Sequence, residues 1–398
     1  MLEMLNNRVN TIIPEVISWR RHFHRQPELS GREEHTAAFI AEVLQKNGIR
    51  HQTGVGGHGI VAWLDNGSRD IPSIAFRADM DALPMQDAKT CDYASSAPGI
   101  MHACGHDGHT AVLLGMAVAL APIASQLPRP LILLFQPAEE TGQGALAMLA
   151  EQVFASPPVA LFGFHFFPHL ETGSIAINQG TLMAATDHFS LQISGTSAHA
   201  CYPEKAVDAI QIAAHLIAAT NYLMAKGRDQ IEPALISIGT IQGGTAANII
   251  ADQVTLTGTI RTLSLDQRQT VVEKFSTLMG TVAAAYGGTA ALNISQVAPA
   301  LTNNKDLCTF VTRLIPKVPE IKHCDLFPKP VLGGEDFAYF SQLVPSCYLK
   351  IGCGNEAKGI MSPLHSNLFD LDESSLELAL KLLATIASQA QDISSSTK

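Results

Sequence analysis

The chain of 398 residues lacks the charge pattern of a nucleic-acid-binding protein. Its formal net charge is -10, and its 26 lysines and arginines form no long basic run. Because phosphate backbones are held by clustered basic side chains, we expect no nucleic-acid partner. Internal repeats and low-complexity segments are also absent, apart from a short polar tail at residues 394–398 that we expect to fray.

Long apolar segments are missing too. The first 21 residues mix Asn, Glu and Arg with apolar residues, unlike the uninterrupted apolar core of a secretion signal. The most apolar stretch, 111–124, is shorter than the roughly 20 residues that a membrane-spanning helix needs, so it predicts a buried helix. We therefore expect a cytoplasmic protein without a membrane partner.

Cysteine is sparse and odd in number. Seven cysteines scattered along the chain do not suit a disulfide framework, and they fit a reducing compartment. The sequence does have length and an ordinary apolar content, with 46% hydrophobic and 16% charged residues. Because the length exceeds the size at which one hydrophobic core usually stops growing, we expect two domains.

The apolar pattern predicts a sheet covered by helices. Three short runs without polar alternation, 73–76, 131–135 and 159–164, are typical of strands buried on both faces. Between them, segments 110–121 and 144–154 are long and apolar enough to form covering helices. The predicted fold class is therefore α/β, with a mostly parallel sheet flanked by helices.

From about residue 184 the pattern changes to half-exposed antiparallel strands. Apolar residues alternate with polar ones in four short segments, and amphipathic helices follow the first and the third. The order strand, helix, strand, strand, helix, strand is that of a ferredoxin-like α+β unit. We predict that residues 183–297 form such a unit, inserted as a lid into a catalytic domain made of residues 1–182 and 298–398.

Ionisable residues follow each buried strand. Asp79 and Asp81 come after the first strand, Glu139 and Glu140 after the second, and His165 ends the third. Open α/β sheets bind ligands at the carboxyl ends of their strands, so we expect these side chains to meet. Because successive residues of an extended chain point in opposite directions, one glutamate can bind metal while the other faces a water molecule.

Cys104 and His106 directly precede the apolar helix. Thiolate, imidazole and carboxylate are the ligands of zinc and its first-row neighbours, and a helix N-terminus favours a thiolate. These donors outnumber the ligands of one tetrahedral site, which indicates two metal ions. A buried structural cysteine is the alternative for Cys104 alone, and a solvated loop pair is the alternative for the two glutamates.

Other histidines stay undecided by spacing. His165 fits a ligand or a structural histidine equally well, and His102 and His109 are ambiguous neighbours of Cys104. Solvated surface residues are the simplest interpretation of three more: His199, Arg261 and His365.

Several longer segments are distinctive as a set and occur in a fixed order: Arg20–His24 with Pro27–Ser30, Arg77–Pro84, Met101–His109, Gln136–Glu140 and Gly333–Phe337. Together they resemble the M20 metallopeptidases, specifically the branch of aminoacylases, hippurate hydrolases and auxin-conjugate amidohydrolases. The resemblance spans nearly the whole chain. It implies a zinc-peptidase-like catalytic domain with an inserted lid of the dimerisation type, and hence a possible homodimer through the lid.

The resemblance also implies roles for individual residues of the catalytic domain. Glu139 corresponds to the general base, and Asp81 to a carboxylate that orients a metal ligand. The five protein ligands of a dinuclear site, with a bridging thiolate, correspond to Cys104, His106, Glu140, His165 and His365.

In the lid, the resemblance assigns His199 and Asn248 to the substrate carbonyl, with His199 often supplied by the partner subunit. It assigns Arg261 to the substrate carboxylate. This chain departs from the family at Ser197, where Gly is common, and at Ala251 and Asn367, where Pro is common. These departures bear on the shape of the lid loop and on the preferred acyl group.

The predicted function is that of a metal-dependent amidohydrolase. It cleaves N-acyl amino acids into a carboxylic acid and an amino acid, with two divalent ions (Zn, Mn, Co or Ni) per subunit. A metallo-exopeptidase or dipeptidase is the first alternative, because a peptide is an acyl amino acid with an extra amine. A non-catalytic binding protein is the second, and the presence of both Glu139 and Glu140 argues against it, because a structural metal site needs no additional carboxylate.

Overall fold

The computed structural model describes residues 2–68, 70–227, 233–326 and 328–393, so the polar tail at 394–398 lies outside it. Within these residues the strands, in chain order, are β1 (Arg50–Val55), β2 (Gly59–Leu64), β3 (Ile74–Asp79), β4 (Leu131–Gln136), β5 (Ala160–Glu171), β6 (Ser174–Ala176), β7 (Gly180–Met183), β8 (Ala185–Ser194), β9 (Leu235–Gly243), β10 (Gln253–Thr262), β11 (Thr289–Ala298), β12 (Leu301–Asn303), β13 (His323–Asp325) and β14 (Ser346–Gly354). The helices are α1 (Leu2–Arg25), α2 (Glu34–Lys46), α3 (His106–Leu120), α4 (Gly144–Ala150), α5 (Ala209–Gly227), α6 (Leu265–Ala285), α7 (Lys305–Leu314), α8 (Phe337–Ser341) and α9 (Ser374–Ser388).

The chain forms two compact units. The first comprises Met1–Gly180, Thr302–Lys329 and Asp336–Lys398, and the second comprises Thr181–Leu301 and Pro330–Glu335. The lid predicted at 183–297 falls inside the second unit. The short segment from Pro330 to Glu335, which no sequence pattern assigned to the lid, belongs to that unit as well.

The first unit is built on an eight-stranded sheet in the order β1-β2-β4-β3-β5-β14-β6-β13. Its central strands β4, β3, β5 and β14 run parallel, whereas β1 and β2 join the edge antiparallel. The prediction of a mostly parallel α/β sheet flanked by helices is confirmed. The β1 strand escaped prediction because its sequence is polar and mostly exposed.

One face of this sheet packs into a large apolar core with α1, α3 and α9. Alternate residues of β5, Phe162, Phe164 and Phe166, lie in that core. Successive side chains of a strand point to opposite faces, so His165 and Phe167 point to the other face of the sheet. The strand thus separates residues that hold the fold together from residues available for chemistry.

The predicted helices differ from the observed ones at their ends. The helix expected at 110–121 already begins at His106, because Gly105 adopts a left-handed conformation (φ 90°) that starts the helix there. The helix expected at 144–154 ends at Ala150, and Gln152 has a positive φ of 54° just beyond it. The prediction of a helix continuing to residue 154 was therefore wrong.

One helical stretch, His106–Gln126, is long and apolar enough to cross a membrane by length and composition. It is longer than the apolar run 111–124 because it starts earlier and continues beyond α3. Of its most apolar window, 72% is buried inside the protein. Packing against the sheet therefore accounts for its composition.

The second unit has a four-stranded antiparallel sheet in the order β11-β8-β10-β9. Helices α5 and α6 share an apolar core with these strands. The element order β8-α5-β9-β10-α6-β11 is the predicted ferredoxin-like order.

Candidate metal centre

The turn before α3 places a thiol and an imidazole at the head of the helix. Gly105, whose left-handed backbone costs a glycine little, separates Cys104 from His106, the first helical residue. The sulfur of Cys104 lies 3.3 Å from Nε2 of His165, which comes from β5. All three side chains are buried. The structure thus brings together donors from two elements distant in sequence.

His106 is oriented by Asp81. Its Nδ1 lies 3.0 Å from the backbone oxygen of Asp81 and 3.2 Å from the carboxylate Oδ1. Because both neighbours are acceptors, a neutral His106 carries its proton on Nδ1 and keeps a lone pair on Nε2. That Nε2 is buried and has no hydrogen-bond partner within the described residues. A buried nitrogen held in this way is a typical metal ligand.

Glu140 presents a second buried atom without a hydrogen bond. Its Oε1 has none within the described part of the chain, although Nε2 of His365 lies 3.5 Å away and Nε2 of His106 4.0 Å away. Its backbone N–H donates to Asp81 Oδ2 at 2.9 Å. Asp81 therefore positions two of the predicted ligands at once.

Cys104 is common to two groups of donor atoms. The ligand atoms of Cys104, His106 and His165 lie within 4.8 Å of one another, and so do those of Cys104, Glu140 and His365. Two overlapping sets with one shared thiol are the arrangement that a bridging ligand between two ions requires.

The electrostatics of this pocket fit divalent cations. Burial raises the pKa of the Cys104 thiol, and the nearby Glu140 raises it further. Burial lowers the pKa of His165, which keeps its imidazole neutral. A thiolate, the form that binds metal, needs positive charge beside it here, and a bound divalent ion supplies that charge.

His365 reaches this cluster from a strained loop. Its φ is 60°, an unusual value for a residue with a side chain, and its backbone N–H donates to the Ala103 oxygen at 2.8 Å. Its side chain is 53% exposed. Spacing alone gave no reason to single it out, because nothing in the local sequence indicates which side of the molecule the loop approaches.

His109 and His102 differ from the predicted ligands. Nδ1 of His109 lies 2.6 Å from Asp79 Oδ1, and its Nε2 accepts a hydrogen bond from the Phe166 N–H at 3.0 Å. Both ring nitrogens are thus engaged with protein groups, and His109 connects β3 to β5, although its ligand atom also lies within 4.8 Å of those of Asp79 and His106. His102 is buried, which lowers its pKa to about 4, and it belongs to none of the ligand groups formed by the described residues.

The loop that carries Glu139 is fixed by a residue that the sequence did not reveal. The Ala138 N–H donates to Oε1 of Glu33 at 2.8 Å, and Ala138 has a φ of 53°. The carbonyl of Ala138 accepts from the N–H of Gly144 at 3.1 Å. Glu33 is fully buried and about a hundred positions earlier in the chain. No local pattern distinguishes it from the exposed Glu34 beside it.

In the second unit, the predicted carbonyl-binding residues lie on adjoining loops. The Ala200 N–H donates to the backbone oxygen of Asn248 at 3.0 Å, and His199 forms a β-bridge with Ile249. His199 and Asn248 are both exposed. The structure therefore brings together the two residues that the resemblance paired.

Arg261 lies at the other end of β10. Asn248 precedes the first residue of this strand, Gln253, whereas Arg261 is next to its last residue and donates to Thr186 Oγ1 at 2.7 Å. At about 3.3 Å per residue the strand separates the two sites by roughly 25 Å. Arg261 and Asn248 of one chain therefore cannot contact the same small substrate.

Comparison with known proteins decides the family. The profile of peptidase family M20/M25/M40 matches residues 75–389. The chain belongs to this family. The M20 chain is 34% identical over 390 residues to thermostable carboxypeptidase 1 of Saccharolobus solfataricus, covering 97% of this chain and 98% of the relative. It is 34% identical over 395 residues to N-acetyl-L-cysteine deacetylase of Bacillus subtilis, covering 99% and 92%.

A solved structure supports the same assignment. The crystal structure of YXEP from Bacillus subtilis, described as a dinuclear metal-binding peptidase of the M20 family, matches with a TM-score of 0.83 and 30% identity. The match covers 97% of this chain and 100% of YXEP. The M20 protein is therefore a metal-dependent hydrolase that acts on amides, and divalent metal ions are its cofactors. The roles of single residues stay predictions.

Changing Cys104 to Ala in the M20 enzyme should release metal, because it removes the donor shared by both groups of ligand atoms. Elemental analysis of the purified variant should show less than half of the wild-type metal content. The matched control is Cys201→Ala, which removes an exposed thiol and should leave the metal content unchanged. Full metal occupancy in the Cys104 variant would show that this thiol is only packed.

Changing Glu33 to Ala should lower kcat by about tenfold or more while the metal stays bound, because the Ala138 N–H loses its acceptor and the loop before Glu139 relaxes. Glu33→Gln keeps an acceptor oxygen and should retain most of the turnover. Glu34→Ala is the exposed control. Equal kcat values for the wild type and Glu33→Ala would show that the loop holds its shape without this contact.

Proposed function

We propose that the enzyme hydrolyses the amide bond of N-acyl amino acids, releasing a carboxylic acid and a free amino acid. The observation that carries the proposal is the position of Glu139, whose carboxylate lies within 4.8 Å of the donor atoms of His106 and Glu140. An acidic group that lies beside the predicted metal ligands and is not one of the five suits a general base. The deacetylase relative, named for an N-acyl amino acid, supports this substrate class.

The metal-ligand set defines what the cofactor contributes. In the proposal, two divalent ions are held by Cys104, His106, Glu140, His165 and His365. When bound, they supply Lewis acidity, which makes a water molecule more acidic and an amide carbonyl more electrophilic.

Glu139 handles the proton. Its Oε1 accepts a hydrogen bond from the Asp336 N–H at 3.3 Å. Asp336 is fixed in turn by the side-chain amide of Gln136 at 2.7 Å and by the Ala145 N–H at 2.9 Å. Held in this way, Glu139 takes the proton of the attacking water and then passes it to the leaving amine. Protonation of the amine completes the cleavage.

Three further residues contact the substrate in the proposal. His199 and Asn248 donate hydrogen bonds to the carbonyl oxygen as it gains negative charge, and losing one such donor typically costs a factor of roughly a hundred to a thousand in rate. Arg261 binds the substrate carboxylate. Its guanidinium is half buried, and a planar guanidinium can hold a carboxylate through two parallel hydrogen bonds.

The separation along β10 supports a dimer. Because Asn248 and Arg261 of one chain lie too far apart to share a substrate, one of these groups serves the site of another chain. We assign the pair His199 and Asn248 to the neighbouring subunit of a two-fold dimer formed through the lid. Each site then needs both chains.

The second candidate function is that of a metallo-exopeptidase, which the carboxypeptidase name of the Saccharolobus relative favours. Both functions use the same attack by water on an amide carbonyl. They differ in the acyl group that is removed, which carries an amine in a peptide and none in an N-acyl amino acid. A substrate panel separates them: N-acetyl, N-benzoyl and indole-acyl amino acids beside dipeptides, each with added zinc, manganese, cobalt or nickel.

In this panel the wild type should cleave N-acyl amino acids faster than dipeptides, and Glu139→Gln should lose at least about a hundredfold in kcat, because an amide cannot accept the water's proton. The metal content of Glu139→Gln should match the wild type. Glu34→Gln, an exposed change of the same kind, is the control and should keep full activity. Faster cleavage of dipeptides would favour the exopeptidase. Normal turnover by Glu139→Gln would show that Glu139 is not the general base.

Mixing two inactive proteins tests the shared site. After subunit exchange, His199→Ala and Glu139→Gln should recover up to about a quarter of wild-type activity, because half of the dimers are mixed and each mixed dimer holds one intact site. The control pair, Arg261→Ala with Glu139→Gln, should stay inactive, because Arg261 and Glu139 both serve their own chain's site and each site of a mixed dimer then carries one of the two defects. Recovery by the control pair alone would reverse the assignment of the two groups.

A further inference from the structure

Lys350 is a buried lysine beside the predicted metal ligands that the chemistry above does not use. It lies on β14 in register with His165 of the parallel strand β5 and is 3% exposed. Residues in register on neighbouring parallel strands point to the same face of a sheet. The side chain of Lys350 therefore shares its face with His165, on the side away from the large apolar core.

The surroundings of the ammonium are aromatic. Nζ of Lys350 lies 5.4 Å from the centre of the Phe167 ring, and that ring lies 4.9 Å from the His165 ring. Within the described residues, the ammonium has no hydrogen bond or ion pair. Burial lowers the pKa of Lys350, and the negative charge of Asp325, an exposed residue of β13, raises it. Because most of the Lys350 side chain is buried, its ammonium loses much of its hydration, and an aromatic face recovers only part of that loss.

The other buried lysine and arginine side chains of the described residues all have oxygen partners. Arg20, Arg77 and Lys381 each form ion pairs with carboxylates. Arg129 donates to backbone oxygens, among them that of Ala390. Lys350 is the exception, because the described protein offers its ammonium no oxygen acceptor at hydrogen-bonding distance.

We propose that Lys350 binds a second carboxylate of the substrate, in addition to the one on the amino-acid product. The inference rests on the proposed function and narrows its substrate class to N-acyl amino acids with two carboxylates. The second carboxylate lies either at the end of a dicarboxylic acyl group, such as succinyl, or on the side chain of the amino acid, such as glutamate.

Location and charge support a ligand as the missing partner. Lys350 is next to a predicted metal ligand, so an anion at its ammonium belongs to a molecule that also reaches the scissile bond. The chain as a whole carries a net charge of -10, which disfavours anionic substrates unless a local cation attracts them. A substrate carboxylate and a buried ammonium also satisfy each other's lost hydration.

Four substrates in two matched pairs test the proposal. N-succinyl-alanine against N-acetyl-alanine reports on the acyl side, and N-acetyl-glutamate against N-acetyl-glutamine reports on the amino-acid side. In the wild type, the dianionic member of one pair should have the higher kcat/KM. Lys350→Met should lower that ratio by about tenfold or more, the factor expected for a charged hydrogen bond. The pair that responds identifies the position of the carboxylate.

The controls separate binding from folding. Lys350→Arg keeps the positive charge and should keep most of the preference, whereas Lys322→Met removes an exposed charge and should leave both ratios unchanged. Activity of Lys350→Met toward N-acetyl-alanine reports that it is folded. Unchanged kcat/KM ratios in Lys350→Met, or an equal loss of kcat/KM on all four substrates, would overturn the proposed role of Lys350 and leave the proposed function standing. Failure of the wild type to cleave any of the four would overturn the proposed function together with it.

Discussion

The chemistry of this protein depends on a buried thiol surrounded by acidic groups. Burial and Glu140 both raise the pKa of Cys104, so the thiolate forms only when positive charge compensates it. The buried guanidinium of Arg77 is paired with Asp79 and Asp336. In the proposed site, bound metal ions supply this charge, and the buried Nε2 of His106, which has no hydrogen bond within the described residues, is one of the atoms assigned to hold them.

Much of this arrangement follows from the sequence. Fully buried parallel strands have apolar runs without alternation, so β3, β4 and β5 could be located and the sheet was predicted correctly. Side chains at the carboxyl ends of such strands meet by geometry, which explains why Asp81, Glu139 and His165 could be named together. The M20 resemblance, now confirmed as family membership, added His365, because a loop residue has no periodicity that indicates its position.

Other features depend on contacts that no local pattern encodes. Glu33 is one of two adjacent glutamates, and only the folded chain shows that it alone is buried against Ala138. Lys350 interrupts an otherwise apolar strand, and its relation to His165 follows from the register of β14 on β5. The distance between Asn248 and Arg261 became visible only once they were placed at opposite ends of β10. Pairing and register are tertiary properties.

The division of the chain also constrains how such enzymes can exchange parts. The backbone passes between the two units at four places, after residues 180, 301, 329 and 335. Asp336, the first residue after the last passage, donates its N–H to Glu139. A recombination event that transfers only residues 181–301 between homologous genes would combine them with residues 330–335 of the recipient gene. The second unit would then come from two parents, and the recipient's six residues would directly precede Asp336. Inheritance of this unit as a functional whole requires both segments to travel together.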